Sequence, residues 1–198
     1  DRIKLSKKIH PLLMTRGVPG THDIKKLKEH IKQFNKKQFP IITPTFNKLK
    51  DDISKKNTTF SKADILILEG WCCSAKPITK NYLHKNLNKI EKIFDKNFKW
   101  RNYYNIKLKM EYQKIFNSFD KIIYLQPPSF QSVLKWRHAQ EKNNAKKTKT
   151  KNFMNKNATK TFISYYEKLT KWMMKNMPAK ADMLIKVDKN QKIKKIIY

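Results

Sequence analysis

Apolar and polar residues follow two patterns along this chain, short continuous apolar runs and longer stretches with helical spacing. Three apolar runs, residues 63–68, 122–125 and 183–187, have the length of buried strands. Apolar residues at helical spacing lie around them, at Ile24, Leu27, Ile31 and Phe34, at Tyr104, Leu108, Tyr112 and Ile115, and at Phe162, Tyr165, Tyr166, Leu169, Trp172 and Met173. Strands that alternate with helices predict an α/β fold, with a mostly parallel sheet flanked by helices.

The segments between these patterns give further predictions. Thr21 or Asp23 is expected to cap the first helix, and a short strand is expected at residues 41–43. A turn containing Pro44, Phe46, Asn47 and Lys48 and a polar loop at residues 51–61 should follow. The Lys/Asn/Thr-rich residues 142–160 predict a flexible surface loop. With 198 residues, of which 39% are hydrophobic, the chain is expected to form one domain.

The chain is strongly basic, with 46 Lys and Arg against 15 Asp and Glu and a net charge of +31. Such a charge is typical of nucleic-acid-binding proteins. Four of the basic residues are arginine, however, and the lysines are spread over nearly every segment, whereas nucleic-acid sites favour clustered arginine. Abundant Lys, Asn and Ile is also what an AT-rich genome encodes. We therefore expect no nucleic-acid partner, and the rare arginines become informative.

Cysteine and histidine usage bounds the chemistry further. Cys72 and Cys73 are adjacent, which suits neither an ordinary disulfide nor a CxxC metal site. The five histidines have no HxxxH or HExxH spacing. No apolar run has membrane-spanning length. These features predict a cytoplasmic protein with no membrane partner.

The three glycines fall in two short stretches, Arg16-Gly17-Val18-Pro19-Gly20-Thr21-His22-Asp23 and Leu68-Glu69-Gly70-Trp71. Glycine allows positive φ and close approach of a ligand, so both stretches predict tight turns near a site. In the first, Arg16 could hold a carboxylate or phosphate in a bidentate fashion and Asp23 could orient a hydroxyl. Alternatively, Asp23 caps the next helix and Arg16 pairs with a nearby acid.

Two further charged residues are candidates for the site. Glu69 follows an apolar run and precedes glycine, so its carboxylate is expected at a strand end, where it could hold a hard cation or act as a base. The alternative is a carboxylate that caps a neighbouring helix. Arg137 shares one helix face with Gln140 and Glu141, which is either a solvated face or part of a lid over the site. Arg101 is expected to form an ion pair at the start of a helix.

Seven stretches in order along the chain form a recognisable set of motifs. The most specific are His10-Pro11-Leu12-Leu13 with Thr15-Arg16-Gly17-Val18-Pro19-Gly20-Thr21-His22-Asp23, and Leu68-Glu69-Gly70-Trp71-Cys72. The others are Pro44 through Phe46 and Lys48 to Asp51-Asp52, Trp100-Arg101 with Asn105, Pro128-Ser129-Phe130 with Trp136-Arg137 and Gln140-Glu141, Tyr166-Glu167-Lys168-Leu169-Thr170, and Pro178-Ala179-Lys180-Ala181-Asp182. Together these stretches resemble the D-glycerate 3-kinase type of glycerate kinase, a P-loop family related to uridine kinase, pantothenate kinase and phosphoribulokinase.

The resemblance implies a P-loop kinase fold and phosphorylation of a D-glycerate hydroxyl by ATP with Mg²⁺. It implies that Glu69 helps to hold Mg²⁺ and that Arg137 steadies the transferring phosphoryl group, as a catalytic residue that also contacts ATP. It places Arg16, His22 and Lys48 on the substrate side, with Asp23 as a further catalytic residue. Asn47 departs from the acidic residue usual before Lys48, which leaves substrate choice at that turn open.

No GxxxxGK[ST] phosphate-binding loop occurs in the sequence. We therefore expect this loop to lie upstream of Asp1, so that the chain is N-terminally incomplete, the C-terminal majority of a longer kinase, and inactive alone. The alternatives are a sister kinase acting on another small hydroxylated metabolite, a non-catalytic basic protein that binds nucleic acid, or a decayed gene product.

Overall fold

The computed structural model describes residues 2–47, 52–147 and 154–198, with the side chain of Lys147 excepted. These residues form two compact units. The larger unit comprises the N-terminal residues up to His22 together with Ser74–Tyr198, and the smaller unit comprises Asp23–Cys73. The expectation of a single domain stays a prediction.

The larger unit contains a three-stranded sheet in the order β3-β4-β5, formed by β3 (Ile123–Gln126), β4 (Met183–Val187) and β5 (Ile193–Ile197). β3 and β4 are parallel, and β4 and β5 are antiparallel. Two of the predicted apolar strands are therefore confirmed. The predicted mostly parallel sheet is not confirmed, because only one of the three strand pairings formed by the described residues is parallel.

Helices make up most of the rest of the larger unit. They are α1 (Arg2–Lys8), a 3₁₀ turn (Pro11–Met14), α3 (Lys80–His84), α4 (Lys89–Phe94), α5 (Lys99–Lys107), a π-helical segment (Leu108–Tyr112), α6 (Gln113–Phe116), α7 (Phe130–Lys147), α8 (Lys156–Ser164) and α9 (Glu167–Asn176). The predicted helical stripe at residues 104–115 is buried in the core, as are Leu13, Val18, Leu169 and Met173. The hydrophobic spacing of the sequence thus marked helix faces that pack inward.

The larger unit also buries four charged side chains, which we call the ion network: Glu91, Asp95, Arg101 and Lys168. Each is at most 2% exposed. The Arg101 Nε donates to Asp95 Oδ2 at 2.7 Å, and its Nη1 lies 3.6 Å from Glu91 Oε2. The Lys168 Nζ lies 3.2 Å from the same Glu91 oxygen. Two acids and two cations balance, as burial of charge requires. The predicted ion pair of Arg101 at a helix start is confirmed, since α5 begins at Lys99.

The smaller unit contains α2 (Ile24–Asn35) and an antiparallel pair, β1 (Ile41–Asn47) and β2 (Asp52–Phe60). Asp23 caps α2, as one of the two predicted caps, by accepting the Lys26 N–H at 3.0 Å. The predicted strand at residues 41–43 is confirmed, but two predictions around it are wrong. Pro44, Phe46 and Asn47 lie in β1 rather than in a turn, and residues 52–60 form β2 rather than a loop, because the two segments satisfy each other's backbone hydrogen bonds.

The apolar run at residues 63–68 forms no strand, so this prediction is wrong. No described strand pairs with the run, and the side chains of Ile65 and Ile67 are 78% and 82% exposed. Apolar composition alone does not make a strand, since an extended segment needs a neighbour for its backbone groups. Glu69 consequently does not lie at a strand end.

The predicted loop at residues 142–160 is wrong at both of its ends. Residues 142–147 continue α7, and residues 156–160 begin α8. Lysine is a good helix former, Asn155 caps α8 through the Ala158 N–H, and Thr159 is fully buried, so these polar residues have helical partners. The remainder of the predicted loop includes residues 148–153, which lie outside the described ranges.

Candidate active site

Residues Arg16–His22 form a tight turn in the larger unit, which we call the glycine loop. Gly17 and Gly20 both adopt positive φ, +100° and +94°. A Cβ atom on Gly20 would lie 2.8 Å from Cε1 of Tyr103, closer than packed carbon atoms approach. Both positions thus require glycine for conformation, and Gly20 requires it for space as well.

Hydrogen bonds inside the glycine loop hold its shape. The Thr21 hydroxyl accepts the Gly17 N–H at 2.9 Å and donates to the Val18 carbonyl at 2.8 Å. Val18 is 1% exposed and anchors the turn in the core. The loop is therefore preorganised, which is what a binding loop needs if ligand binding is not to cost ordering entropy.

Two tyrosines brace the glycine loop from outside. The Tyr112 hydroxyl accepts the Gly20 N–H at 2.8 Å and lies 2.7 Å from Nδ1 of His22. The Tyr166 hydroxyl donates to the Arg16 carbonyl at 2.7 Å. The sequence did not single out these hydroxyls, because tyrosines at helical spacing are as typical of a helix core as of a site.

The protein surroundings shift the proton equilibria of the loop. His22 is exposed as a residue, yet desolvation by the atoms around it lowers the pKa of its imidazole. Burial raises the pKa of Tyr166 to about 12, against an opposing effect of Arg16, Arg137 and Arg2. Near neutral pH the imidazole is thus uncharged and the Tyr166 hydroxyl keeps its proton.

Arg137 lies on α7 and is half-buried. Its Nη1 donates to Gln140 Oε1 at 2.6 Å and its Nη2 lies 2.5 Å from Glu141 Oε1, so the predicted i, i+3, i+4 face is confirmed. Its guanidinium carbon lies 5.2 Å from the centre of the Phe162 ring. The Nε of Arg137 is buried and has no hydrogen-bond partner among the described residues.

The larger unit brings Arg16 and Arg137 toward one residue, Tyr166. The backbone carbonyl of Arg16 accepts the Tyr166 hydroxyl, and the Arg137 guanidinium lies over Phe162, whose ring centre is 5.1 Å from that of Tyr166. The charges of Arg16 and Arg137 both act to lower the pKa of the Tyr166 phenol, although burial has the larger, opposite effect. Residues 16 and 137 are far apart in sequence, so this arrangement depends on the fold.

The other predicted site residues are placed differently. Asp23 is exposed and engaged as the cap of α2, and Lys48 lies outside the described residues. Glu69 is exposed, and its charge together with burial raises the pKa of Cys73 to about 11, with burial the larger cause. Gly70 is exposed, and a Cβ atom there would lie 3.1 Å from Cys73 Sγ.

The described residues contain neither a cluster of metal ligands nor a membrane-spanning helix. No group of three or more His, Cys, Asp or Glu side chains there could hold a metal ion. A single carboxylate such as Glu69 still fits Mg²⁺ bound with a nucleotide, because that ion takes most of its ligands from phosphate and water. No helix in the described ranges is long and apolar enough to cross a membrane.

Comparison with known proteins gives two related sequences and two similar structures. The chain is 32% identical over 99 residues to “Probable ATP-dependent kinase TDA10” of Saccharomyces cerevisiae, covering 44% of the chain and 34% of that protein. It is 25% identical over 183 residues to “Uncharacterized kinase mug58” of Schizosaccharomyces pombe, covering 84% of the chain and 62% of that protein. The chain therefore spans less than two thirds of the length of these relatives. No protein-family model matches it.

The structural likeness extends over the whole chain. A D-glycerate 3-kinase from Cryptococcus neoformans superposes with a TM-score of 0.82 at 22% identity, covering 100% of this chain and 74% of that one. The YGR205w protein superposes with a TM-score of 0.76 at 21% identity, covering 100% of this chain and 72% of that one. The chain thus has the fold of the D-glycerate 3-kinase structure, in agreement with the P-loop kinase family that its motifs resemble.

Proposed function

We propose that this chain is the acceptor-binding and phosphoryl-stabilising part of an ATP-dependent kinase that phosphorylates a hydroxyl of D-glycerate. The observation that carries the proposal is the surroundings of Tyr166 in the larger unit. Its hydroxyl donates to the backbone carbonyl of Arg16, and the charges of Arg16 and Arg137 both act to lower its pKa. Phosphoryl transfer requires fixed positive charge around the acceptor and the transferring group, since its catalysis is mostly positioning and charge stabilisation. The named relatives and the D-glycerate 3-kinase fold support the same reaction class.

On the acceptor side, the glycine loop would bind D-glycerate. Arg16 would hold the carboxylate, with Lys48 as a second cation for it, and His22 would bind an oxygen of the substrate. Asp23 would orient the hydroxyl that attacks the γ-phosphorus. Its present role as the cap of α2 does not prevent this, because a carboxylate accepts several hydrogen bonds.

On the phosphoryl side, Arg137 would face the γ-phosphate. Its Nε is buried and has no partner among the described residues, so a rotation of the side chain would expose this donor to a phosphate oxygen. Glu69 would supply one carboxylate ligand to Mg²⁺. When bound with ATP, Mg²⁺ neutralises charge on the β- and γ-phosphates.

D-glycerate binding to the 198-residue protein tests the acceptor side of this proposal. We expect calorimetry to detect D-glycerate binding that weakens at least tenfold in Arg16→Gln, because the carboxylate loses a charge-assisted partner. Lys8→Gln is the matched control, since it removes one positive charge from an exposed position outside the loop. Equal weakening in both variants, or no binding by the unchanged protein, would contradict the assignment of Arg16.

A further inference from the structure

Tyr112 occupies an unusual backbone position. It ends the π-helical segment Leu108–Tyr112, where the Gln113 N–H bonds to the Leu108 carbonyl five residues earlier. Such segments are rare, and many lie at functional sites because they change the direction in which a side chain points. Here the segment interrupts an otherwise continuous helix and ends at Tyr112, the residue that contacts the glycine loop.

The Tyr112 hydroxyl lies between two nitrogen atoms of the glycine loop. The backbone N–H of Gly20 can only donate, so at 2.8 Å it uses a lone pair of the hydroxyl oxygen. Nδ1 of His22 lies 2.7 Å from the same oxygen. An O–H donor at this distance makes a well-formed hydrogen bond to an unprotonated ring nitrogen.

We propose that the Tyr112 hydroxyl donates a hydrogen bond to the unprotonated Nδ1 of His22 and thereby holds the imidazole in the tautomer that carries hydrogen on Nε2. Nε2 makes no hydrogen bond to a described residue, and His22 is exposed, so the N–H is available to a ligand. The fixed Nδ1 contact also limits the orientations of the ring. Tyr112 is thus a positioning residue that acts through His22.

This tautomer determines which hydrogen-bonding groups of a ligand the glycine loop can bind. The identity of that ligand rests on the proposed function. A neutral Nε2–H is a hydrogen-bond donor, so it binds a carboxylate or hydroxyl oxygen and cannot accept the proton of the attacking hydroxyl. His22 therefore discriminates by geometry, while Arg16 supplies the charge. The general base of the reaction has to be a group other than His22.

The tautomer can be measured without substrate by long-range ¹H–¹⁵N NMR on the 198-residue protein labelled with ¹⁵N-histidine. His22→Gln identifies the His22 signals. We expect the unchanged protein at neutral pH to show the Nε2–H pattern at His22, and Tyr112→Phe to show an increased fraction of the Nδ1–H form. Tyr166→Phe is the matched control, because it removes a hydroxyl bonded elsewhere in the same loop, and it should keep the Nε2–H pattern.

An Nδ1–H pattern in the unchanged protein, or an unaltered His22 tautomer in Tyr112→Phe, would overturn the inference. If Tyr112→Phe does not fold, the spectrum of the unchanged protein still decides. Adding D-glycerate then separates the two proposals. A Nε2–H tautomer whose signals do not move with D-glycerate would support the role of Tyr112 and contradict the proposed ligand.

Discussion

The four arginines of this lysine-rich chain have two kinds of surroundings. Arg101 is fully buried in the ion network, whereas Arg2, Arg16 and Arg137 carry charges that act to lower the pKa of Tyr166, against the larger effect of burial. Lysine provides charge on most of the surface, but a planar guanidinium makes several directed hydrogen bonds at once. Arg101 and Arg137 both use this geometry, since each makes polar contacts through more than one nitrogen atom.

The lowered pKa of His22 should make the stability of the protein depend on pH. Its pKa in the folded protein is lowered from 6.5 by desolvation, so below pH 6.5 the unfolded chain binds the proton more readily than the folded one. The free energy of unfolding should therefore fall as the pH is lowered from about 6.5 through the folded-state pKa. We expect the contribution to stay below about 1 kcal/mol, because the residue remains exposed.

Urea denaturation of the unchanged protein and of His22→Gln at pH 7.5 and 5.0 measures this effect. Other groups titrate in the same interval, so the quantity that matters is the difference between the two proteins. The unchanged protein should lose more stability on acidification than His22→Gln. An equal loss would show that His22 does not carry a lowered pKa.

Among the elements, the ion network joins two consecutive helices, α4 and α5, to the distant helix α9. Arg101 of α5 meets Glu91 of α4 and Asp95 just after it, and Lys168 of α9 meets the same glutamate. Arg101 also donates to the Leu83 carbonyl at 3.1 Å. Lys168 lies in the middle of the Tyr166–Thr170 stretch, so the ion network connects that part of the chain to the core.

Arg101→Ala should destabilise the larger unit by about 3–5 kcal/mol, since it leaves the buried Asp95 and Glu91 short of a countercharge. Lys121→Ala is the control, because Lys121 pairs with Asp182 at the surface and is 78% exposed. That change should cost less than about 1 kcal/mol. Chemical denaturation followed by circular dichroism measures both, and similar costs for the two variants would contradict the structural role of the network.

The elements that could be predicted from the sequence are those in which the hydrophobic pattern and the pairing agree. Residues 122–125 and 183–187 are apolar and pair with each other, so the pattern sufficed. β2 could not be found, because its residues are mostly exposed and its order comes from backbone bonds to β1. The run at residues 63–68 differs from β2 in both respects, because its sequence is apolar and no described strand pairs with it.

The candidate site could be predicted to a similar extent. Gly17 and Gly20 indicated a tight turn because glycine is rare in this chain, and both have positive φ. The bracing by Tyr112 and Tyr166 depends on contacts across 92 and 150 positions of sequence. No local pattern carries that information.

At the scale of the whole molecule, the fold and the charge suggest different functions. The fold is that of a D-glycerate 3-kinase, whereas a net charge of +31 is typical of nucleic-acid binding. If the lysines are the functional feature, DNA binding should be tight at physiological salt and independent of Arg137. If the arginines are the functional feature instead, replacing Arg137 should slow a phosphoryl transfer reaction.

ATP turnover by the product of the complete reading frame that contains this chain tests whether the protein is a D-glycerate kinase that depends on Arg137. We expect ADP release that depends on D-glycerate, is far slower with uridine, pantothenate or no acceptor, and falls about 100-fold or more in kcat for Arg137→Ala. Lys135→Ala, an exposed change on the same helix, should leave kcat unchanged. Equal turnover with all acceptors would contradict the D-glycerate assignment, and an Arg137→Ala variant as active as the unchanged protein would contradict the catalytic role of Arg137.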